Sequence, residues 1–204
     1  MRWLQRALDI LFPPKRDALV VRALSADDVL AFLRPTESKG MTALLPYRAR
    51  EIGALVREAK FAGNERAWQL LALALSEYLM EYLGDRYAYE ERAIALVPIP
   101  LSKKRFRERG YNQVHEVLKR VSVPGVRILP RTLRRTRNTK AQTSLSRGAR
   151  LANMEGAFMA EIPDPAYLYI VIDDVTTTGA TLSDAVRALR EAGARHVHFV
   201  SLSH

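Results

Sequence analysis

The sequence predicts an α/β fold, a parallel sheet covered by helices, on two observations. From Ile94 onward, short apolar runs of strand length alternate with helical patterns, the arrangement that repeated βα units require. The run Tyr169-Ile170-Val171-Ile172 then ends in two adjacent carboxylates, Asp173 and Asp174, and a small hydroxyl-rich turn leads into a helix near Leu182. That order presents chemistry at the carboxyl end of a parallel strand.

The elements follow in order. Trp3, Leu4, Leu8, Leu11 and Phe12 lie on a helical stripe that Pro13-Pro14 stops. Residues 19–24 read as a strand. Ser25 to Asp28 look like a helix cap leading into residues 29–33, with Pro35 beyond. Residues 48–60 and 65–83 read as two helices, separated by Gly63-Asn64 and closed by Gly84. Trp68, Leu71, Leu75, Tyr78, Leu79 and Tyr82 keep the helical period and are expected in the core. Strands are expected at 94–99, 126–129, 169–172 and 197–202, with a short extended piece at 157–159. Helices are expected at 111–121, 147–153 and 182–192, the last ended by Gly193. Residues 1–46 read as an amino-terminal attachment and 47–204 as the main domain.

Composition narrows the function. The 204 residues include no cysteine, which excludes disulfides and thiolate metal sites. No apolar run approaches the roughly 20 residues that span a bilayer. Asp9 and the lack of a small-residue cleavage site argue against a secretory signal. A soluble, cytoplasmic protein without stable membrane insertion is expected. Net charge is +10, and residues 102–150 hold 15 Lys or Arg against Glu108 and Glu116, a local +13. The remainder, with 17 basic and 20 acidic residues, comes to −3. Such a concentration suits a polyanion: diphosphate, nucleic acid, or both.

Residues 169–181, Tyr-Ile-Val-Ile-Asp-Asp-Val-Thr-Thr-Thr-Gly-Ala-Thr, carry the most specific chemistry. Carboxylates at a strand end accept from vicinal ribose hydroxyls or reach a hydrated Mg²⁺. A turn of Thr176, Thr177, Thr178, Gly179, Ala180 and Thr181 wraps a phosphate with backbone N–H groups and hydroxyls at the positive end of a helix. The stretch resembles the 5-phosphoribosyl-1-diphosphate (PRPP) signature of type I phosphoribosyltransferases. That resemblance implies a type I phosphoribosyltransferase-like sheet in which Asp173 and Asp174 are the catalytic pair holding the ribose. Pro98, Ile99 and Pro100 form a stiff turn after the first strand of the sheet, followed by Lys103, Arg105 and Arg109, which are expected to face the diphosphate. Asn112 suits either a helix cap or a ligand contact.

Further matches sharpen the resemblance. Tyr47, Lys60-Phe61-Ala62-Gly63, Pro98-Ile99-Pro100-Leu101, Arg105, Arg109-Gly110-Tyr111-Asn112-Gln113, Arg135, Arg137, Thr139, Gln142, Leu145, Arg150, Asn153 and Phe158 are similar to the ComF family over residues 44–204. This implies a PRPP-binding protein of natural transformation, in contact with single-stranded DNA and with proteins of the DNA-uptake machinery. The family's four-cysteine zinc module has no counterpart: Leu11-Phe12-Pro13-Pro14 is present, Lys15-Arg16-Asp17 follows, and the attachment reads as a degenerate, zinc-less version. Mg²⁺ is the one expected cofactor.

Residues 133–150 read as a loop without strand or helix periodicity until Ser146. Arg134, Arg135, Arg137, Lys140 and Gln142 serve either a lid over the diphosphate or a DNA backbone. His115, His196, His198 and His204 lack ligand spacing and read as structural or surface residues. Two functions stay open: a DNA-handling protein that retains a PRPP site, and a working phosphoribosyltransferase acting on an unidentified nitrogen nucleophile. A nucleotide-salvage enzyme is a weaker third, since no base-binding hood follows Asp184. No residue stands out as a dedicated general base.

Overall fold

Capping and turn chemistry set several of the helix boundaries. The computed structural model describes residues 15–38, 40–87, 93–136, 156–161, 163–176 and 180–204. Helices Arg16–Ala23 (α1) and Ala26–Ala31 (α2) come first, divided by a capping box. In it, Ser25 Oγ accepts the Asp28 N–H at 3.1 Å and Asp28 returns the bond to the Ser25 N–H at 2.8 Å. Residues 19–24, expected as a strand, are helical up to Ala23. Val21 and Leu24, three apart, are both buried, and Arg57 donates two hydrogen bonds to Asp17 at 2.6 and 3.0 Å. Docking against a neighbouring helix overrides the β preference of Val20-Val21.

A hairpin of Thr36–Ser38 (β1) and Met41–Leu45 (β2) follows, then Arg50–Arg57 (α3), a π-helical turn Glu58–Ala62, and Glu65–Tyr87 (α4). Asn64 Oδ1 accepts the N–H groups of Arg66 and Ala67 at 3.1 and 3.3 Å and so starts α4. Gly84, expected to close this helix, lies inside it.

The rest is Ala93–Pro98 (β3), Lys103–Arg109 (α5), Gln113–Leu118 (α6), Val126–Ile128 (β4), Leu133–Arg135 (β5), Phe158–Ala160 (β6), Tyr167–Val175 (β7), Ala180–Glu191 (α7) and His196–Ser203 (β8). Among the described residues the main sheet has six strands in the order β1-β2-β8-β7-β3-β4, all parallel except the edge strand β1. The hairpin at residues 36–45 is therefore part of this sheet, although it precedes the boundary expected at residue 46. Residues 133–135, expected in an irregular loop, pair antiparallel with β6 in a separate two-stranded ribbon. Residues 103–109, for which the sequence predicts no element, form α5, because Ser102 Oγ accepts the Arg105 N–H and Gly110 (φ 83°) closes the helix.

Strand parity divides the core. Ile94, Leu96, Ile170, Ile172, Val200 and Leu202 face a layer containing α3, α4 and α6. Ala95, Val97, Tyr169, Val171 and Phe199 face α7 and the β5–β6 ribbon. An α/β fold with a largely parallel sheet covered by helices is what the structure shows. Asp184, buried on α7, ties the ribbon down: it accepts the N–H groups of Gly156 and Phe158 at 2.9 and 3.0 Å and a bond from Arg187 Nη2 at 2.6 Å.

Gly63 ends the π-helical turn at φ 62°, and a Cβ there would meet the Tyr111 ring at 3.4 Å. Gly63→Ala is expected to destabilise the fold by about 1–2 kcal/mol. Urea denaturation would show it as a lower midpoint at unchanged slope.

Candidate functional site

The chain leaving β3 passes through α5 and reaches α6 on one face of the sheet, whereas the helix that follows β7, α7, packs on the other. Between neighbouring strands whose connections diverge in this way a crevice opens at the carboxyl ends, the position where open α/β sheets bind ligands. Here it is a cavity of about 1140 Å³, walled by the β1–β2 hairpin, the turn after β3 and the end of β7.

Asp173 and Asp174 are the seventh and eighth residues of nine-residue β7, so the strand continues past them to Val175. Parity then separates them. Asp174 continues the face of Ile170 and Ile172, toward α6 and the π-helical turn. Its Oδ2 lies 2.7 Å from Lys60 Nζ and accepts from Gln113 Nε2 at 2.7 Å, while Oδ1 accepts the Val175 N–H at 2.8 Å. Arg109 donates to Gln113 in turn, extending the chain of bonds. Burial alone raises the pKa of Asp174, but Lys60, Gln113 and the Val175 amide together hold it below the ordinary carboxylate value.

Asp173 lies on the opposite face, half-buried against the cavity. Among the described residues its carboxylate accepts only the N–H of Asp174, at 2.8 Å. Burial, then the Asp174 charge, push its pKa up to about 7. The adjacent acids thus differ in kind: one is a neutralised structural ion, the other an under-satisfied carboxyl aimed at the crevice.

Lys60 is positioned by the π-helical turn, which Trp68 Nε1 pins by donating to the Ala59 carbonyl at 3.0 Å and Tyr111 Oη by donating to the Lys60 carbonyl at 3.3 Å. Around the cavity stand Arg48, Lys60, Arg105, Arg109 and Arg135. Burial lowers the pKa of Arg109 and of Arg135, and the charge of Arg105 adds to both effects. Cations held together against desolvation call for an anion. Thr176 Oγ1 is buried without a hydrogen-bond partner among the described residues.

Ile99, Pro100, Arg105, Arg109, Arg135, Asp173, Asp174, Thr176 and Thr181 therefore meet at one cavity. Ala180 begins α7. Pro98, Lys103 and Asn112 line a second cavity instead, with Pro100 shared by both. Helical geometry accounts for the split, since Arg105 and Arg109 are four apart on one side of α5 and Lys103 lies on the other. Asn112 is a cap, its Oδ1 accepting the Val114 N–H at 3.0 Å, and its Nδ2 donates to the Ile99 carbonyl at 2.9 Å. Arg134 pairs with Glu161 on the ribbon. Thr177, Thr178, Gly179, Arg137, Lys140 and Gln142 lie outside the described residues, as does the helix expected at 147–153. Sequence reasoning assigned no site role to Lys60, Gln113, Arg48 or the hairpin. The helix break at Gly63-Asn64 beside Lys60 was the available signal.

No family model matches the chain. It is 31% identical over 148 residues to DNA utilization protein YhgH of Salmonella typhi, covering 72% of this chain and 64% of that protein. It is 31% identical to competence protein ComFC of Streptococcus pneumoniae, over 70% of this chain and 59% of the relative. Identity to competence protein ComFC of Bacillus subtilis is 38%, over 52% and 42% of the two chains. This chain is a ComF relative. It spans 64% of the length of the Salmonella protein, and 59% and 42% of the two ComFC proteins. Among solved structures, a hypoxanthine phosphoribosyltransferase from Staphylococcus aureus matches 68% of this chain and 63% of its own, at TM-score 0.36 and 14% identity. For this ComF relative the sheet order, rather than that superposition, is the ground for the fold. No helix among the described residues is long and apolar enough to cross a membrane.

The two aspartates are expected to respond oppositely to substitution. A carboxyl whose pKa is raised on folding stays protonated in the native state while the unfolded chain ionises. Asp173 therefore lowers stability as pH rises from about 4 to about 7. Asp173→Asn removes that loss and should stabilise the protein at pH 8 by roughly 1–2 kcal/mol after allowance for its partial exposure. Asp174→Asn strands Lys60 and should cost about 3 kcal/mol at neutral pH. Chemical denaturation of both variants at pH 4 and pH 8 checks the signs.

Proposed function

We propose that this ComF relative binds PRPP with Mg²⁺ in the crevice and handles single-stranded DNA during natural transformation. The observation that carries the reading is the under-satisfied Asp173 carboxyl at a switch point, with Arg48, Lys60, Arg105, Arg109 and Arg135 around the same cavity. Asp173 accepts the ribose hydroxyls. Asp174 acts behind it by holding Lys60 and Gln113. The free Thr176 hydroxyl and the start of twelve-residue α7 favour the 5′-phosphate. Arg105, Arg109 and Arg135 take the diphosphate.

The residues fit Mg²⁺ in a particular way. Among the described residues no three His, Cys, Asp or Glu side chains group as a metal cage, and the donors at hand are hard carboxylate and hydroxyl oxygens. Such a set suits a hydrated cation that arrives with its phosphates. When bound, Mg²⁺ neutralises diphosphate charge. The DNA part of the reading is supported by the names of the relatives, competence and DNA utilization, and by the +13 excess of residues 102–150. Several of these cations, Lys103, Lys104, Arg105 and Arg107, stand exposed on α5.

Titration calorimetry with PRPP and Mg²⁺ tests the site. Asp173→Asn is expected to weaken binding at least tenfold while the fold gains stability; unchanged affinity would refute the assignment.

A second reading, a working transferase, is favoured by the clustered guanidiniums, which stabilise a departing diphosphate as the bond to the anomeric carbon breaks and a nitrogen nucleophile attacks. Diphosphate release from PRPP in the presence of nucleobases, amines or DNA ends is the measurement. Turnover lost on Arg109→Ala is the expected outcome under this reading, and no release with any acceptor removes it.

A further inference from the structure

Helix α5 has no fully buried residue, and of its seven only Arg109 is half-buried. Five of the seven, Lys103, Lys104, Arg105, Arg107 and Arg109, are basic. Caps at Ser102 and Gly110 fix its two ends. A helix with no core face is retained for what it presents to solvent. It presents two different sides. Arg105 and Arg109 face the crevice already described. Lys103, Phe106 and Arg107, at spacings of three and four, line the second cavity, of about 660 Å³. The two cavities share Pro100 and Leu101, so the stiff turn after β3 is the partition between them.

The chemistry of this second cavity is specific. Phe106 is 51% exposed, an aromatic face offered to solvent amid positive charge. Pro98, Pro100 and Pro130 give an apolar lining that makes few hydrogen-bond demands of its own. His115 closes the cavity from α6. Burial and the nearby Lys119 lower its pKa while Glu116 opposes them, so at neutral pH the ring is uncharged and can both donate and accept. The volume lies within the roughly 300–1,000 Å³ of small-molecule sites.

We infer that the second cavity receives a nucleobase of single-stranded nucleic acid, stacked on Phe106, with flanking phosphates on Lys103 and Arg107. Aromatic faces interleaved with cations are how single strands are held without sequence reading, because every base has a π face and every linkage a charge. The inference rests on the DNA-handling reading above and adds a place to it. A base would sit on one side of the proline turn while the phosphorylated sugar sits on the other.

The test is fluorescence anisotropy with labelled oligothymidylate across a salt series, using wild type, Phe106→Ala and Lys103→Ala/Arg107→Ala. Since Lys103, Phe106 and Arg107 are exposed, all are expected to fold, and PRPP calorimetry on each serves as the control. Phe106→Ala should weaken oligonucleotide binding about tenfold with the salt dependence unchanged. The double variant should reduce the salt slope by about 1.4, the loss of two phosphate contacts. Thymidine monophosphate as competitor separates the sources: failure to displace the oligonucleotide supports a polymer site, and displacement at equal concentration overturns it in favour of a free-nucleotide pocket. Oligonucleotide binding that is normal in both variants overturns the pocket and leaves the DNA reading standing. No binding by wild type overturns both. Loss of PRPP affinity in Phe106→Ala makes the cavity part of the sugar site and overturns its independence.

Discussion

Asp174 is the ion on which the architecture of the crevice depends. A buried carboxylate is tolerated only where opposite charge and hydrogen bonds replace the water it has lost. Lys60 comes from the π-helical turn, Gln113 from α6 and the third bond from the backbone of β7 itself. One side chain therefore fixes the central strand against two elements of the covering layer. It also fixes the orientation of Lys60 and, through Gln113, of Arg109, before any ligand is present. Trp68 and Tyr111, which meet edge to face with centroids 5.2 Å apart, brace the same turn from behind.

The two-residue alternation of a strand explains why the neighbouring acid has a different character. Asp173 cannot share the partners of Asp174, because they are on the wrong side of the sheet. Among the described residues it accepts one amide hydrogen bond, and burial and the adjacent negative charge outweigh the more distant positive charge of Lys60. The opposed environments of consecutive residues are a direct product of β geometry rather than of composition. They give the crevice one group committed to structure and one held in reserve.

The sequence made β7, its acids and the following helix legible, since a β-branched run ending in charge has few other readings. The alternation from β3 to β8 was legible for the same reason: buried strands and amphipathic helices announce themselves by period. What was not legible follows from the same rule. Periodicity is a record of burial, so α5, which has no fully buried residue, leaves no apolar stripe from which an element could be predicted. In α1, the run Leu19-Val20-Val21 carries a local preference that Asp17 and Arg57 overrule across space. The β1–β2 hairpin is too short to alternate convincingly, with three residues in one strand and five in the other. Lys60 was quoted as part of a motif but not placed at the site, because its partner lies far along the chain and only the folded topology joins them. Parity, by contrast, was available: consecutive residues of any strand diverge, and Asp173-Asp174 could have been separated on paper.

Asp184 has a mechanical consequence. A single carboxylate grips the amides of Gly156 and Phe158 together with Arg187 of its own helix. The ribbon and α7 are thereby geared to each other. Ala180 begins α7 and Arg135 ends β5, so Asp184 ties the helix that starts at the crevice to the ribbon strand that supplies one of its cations.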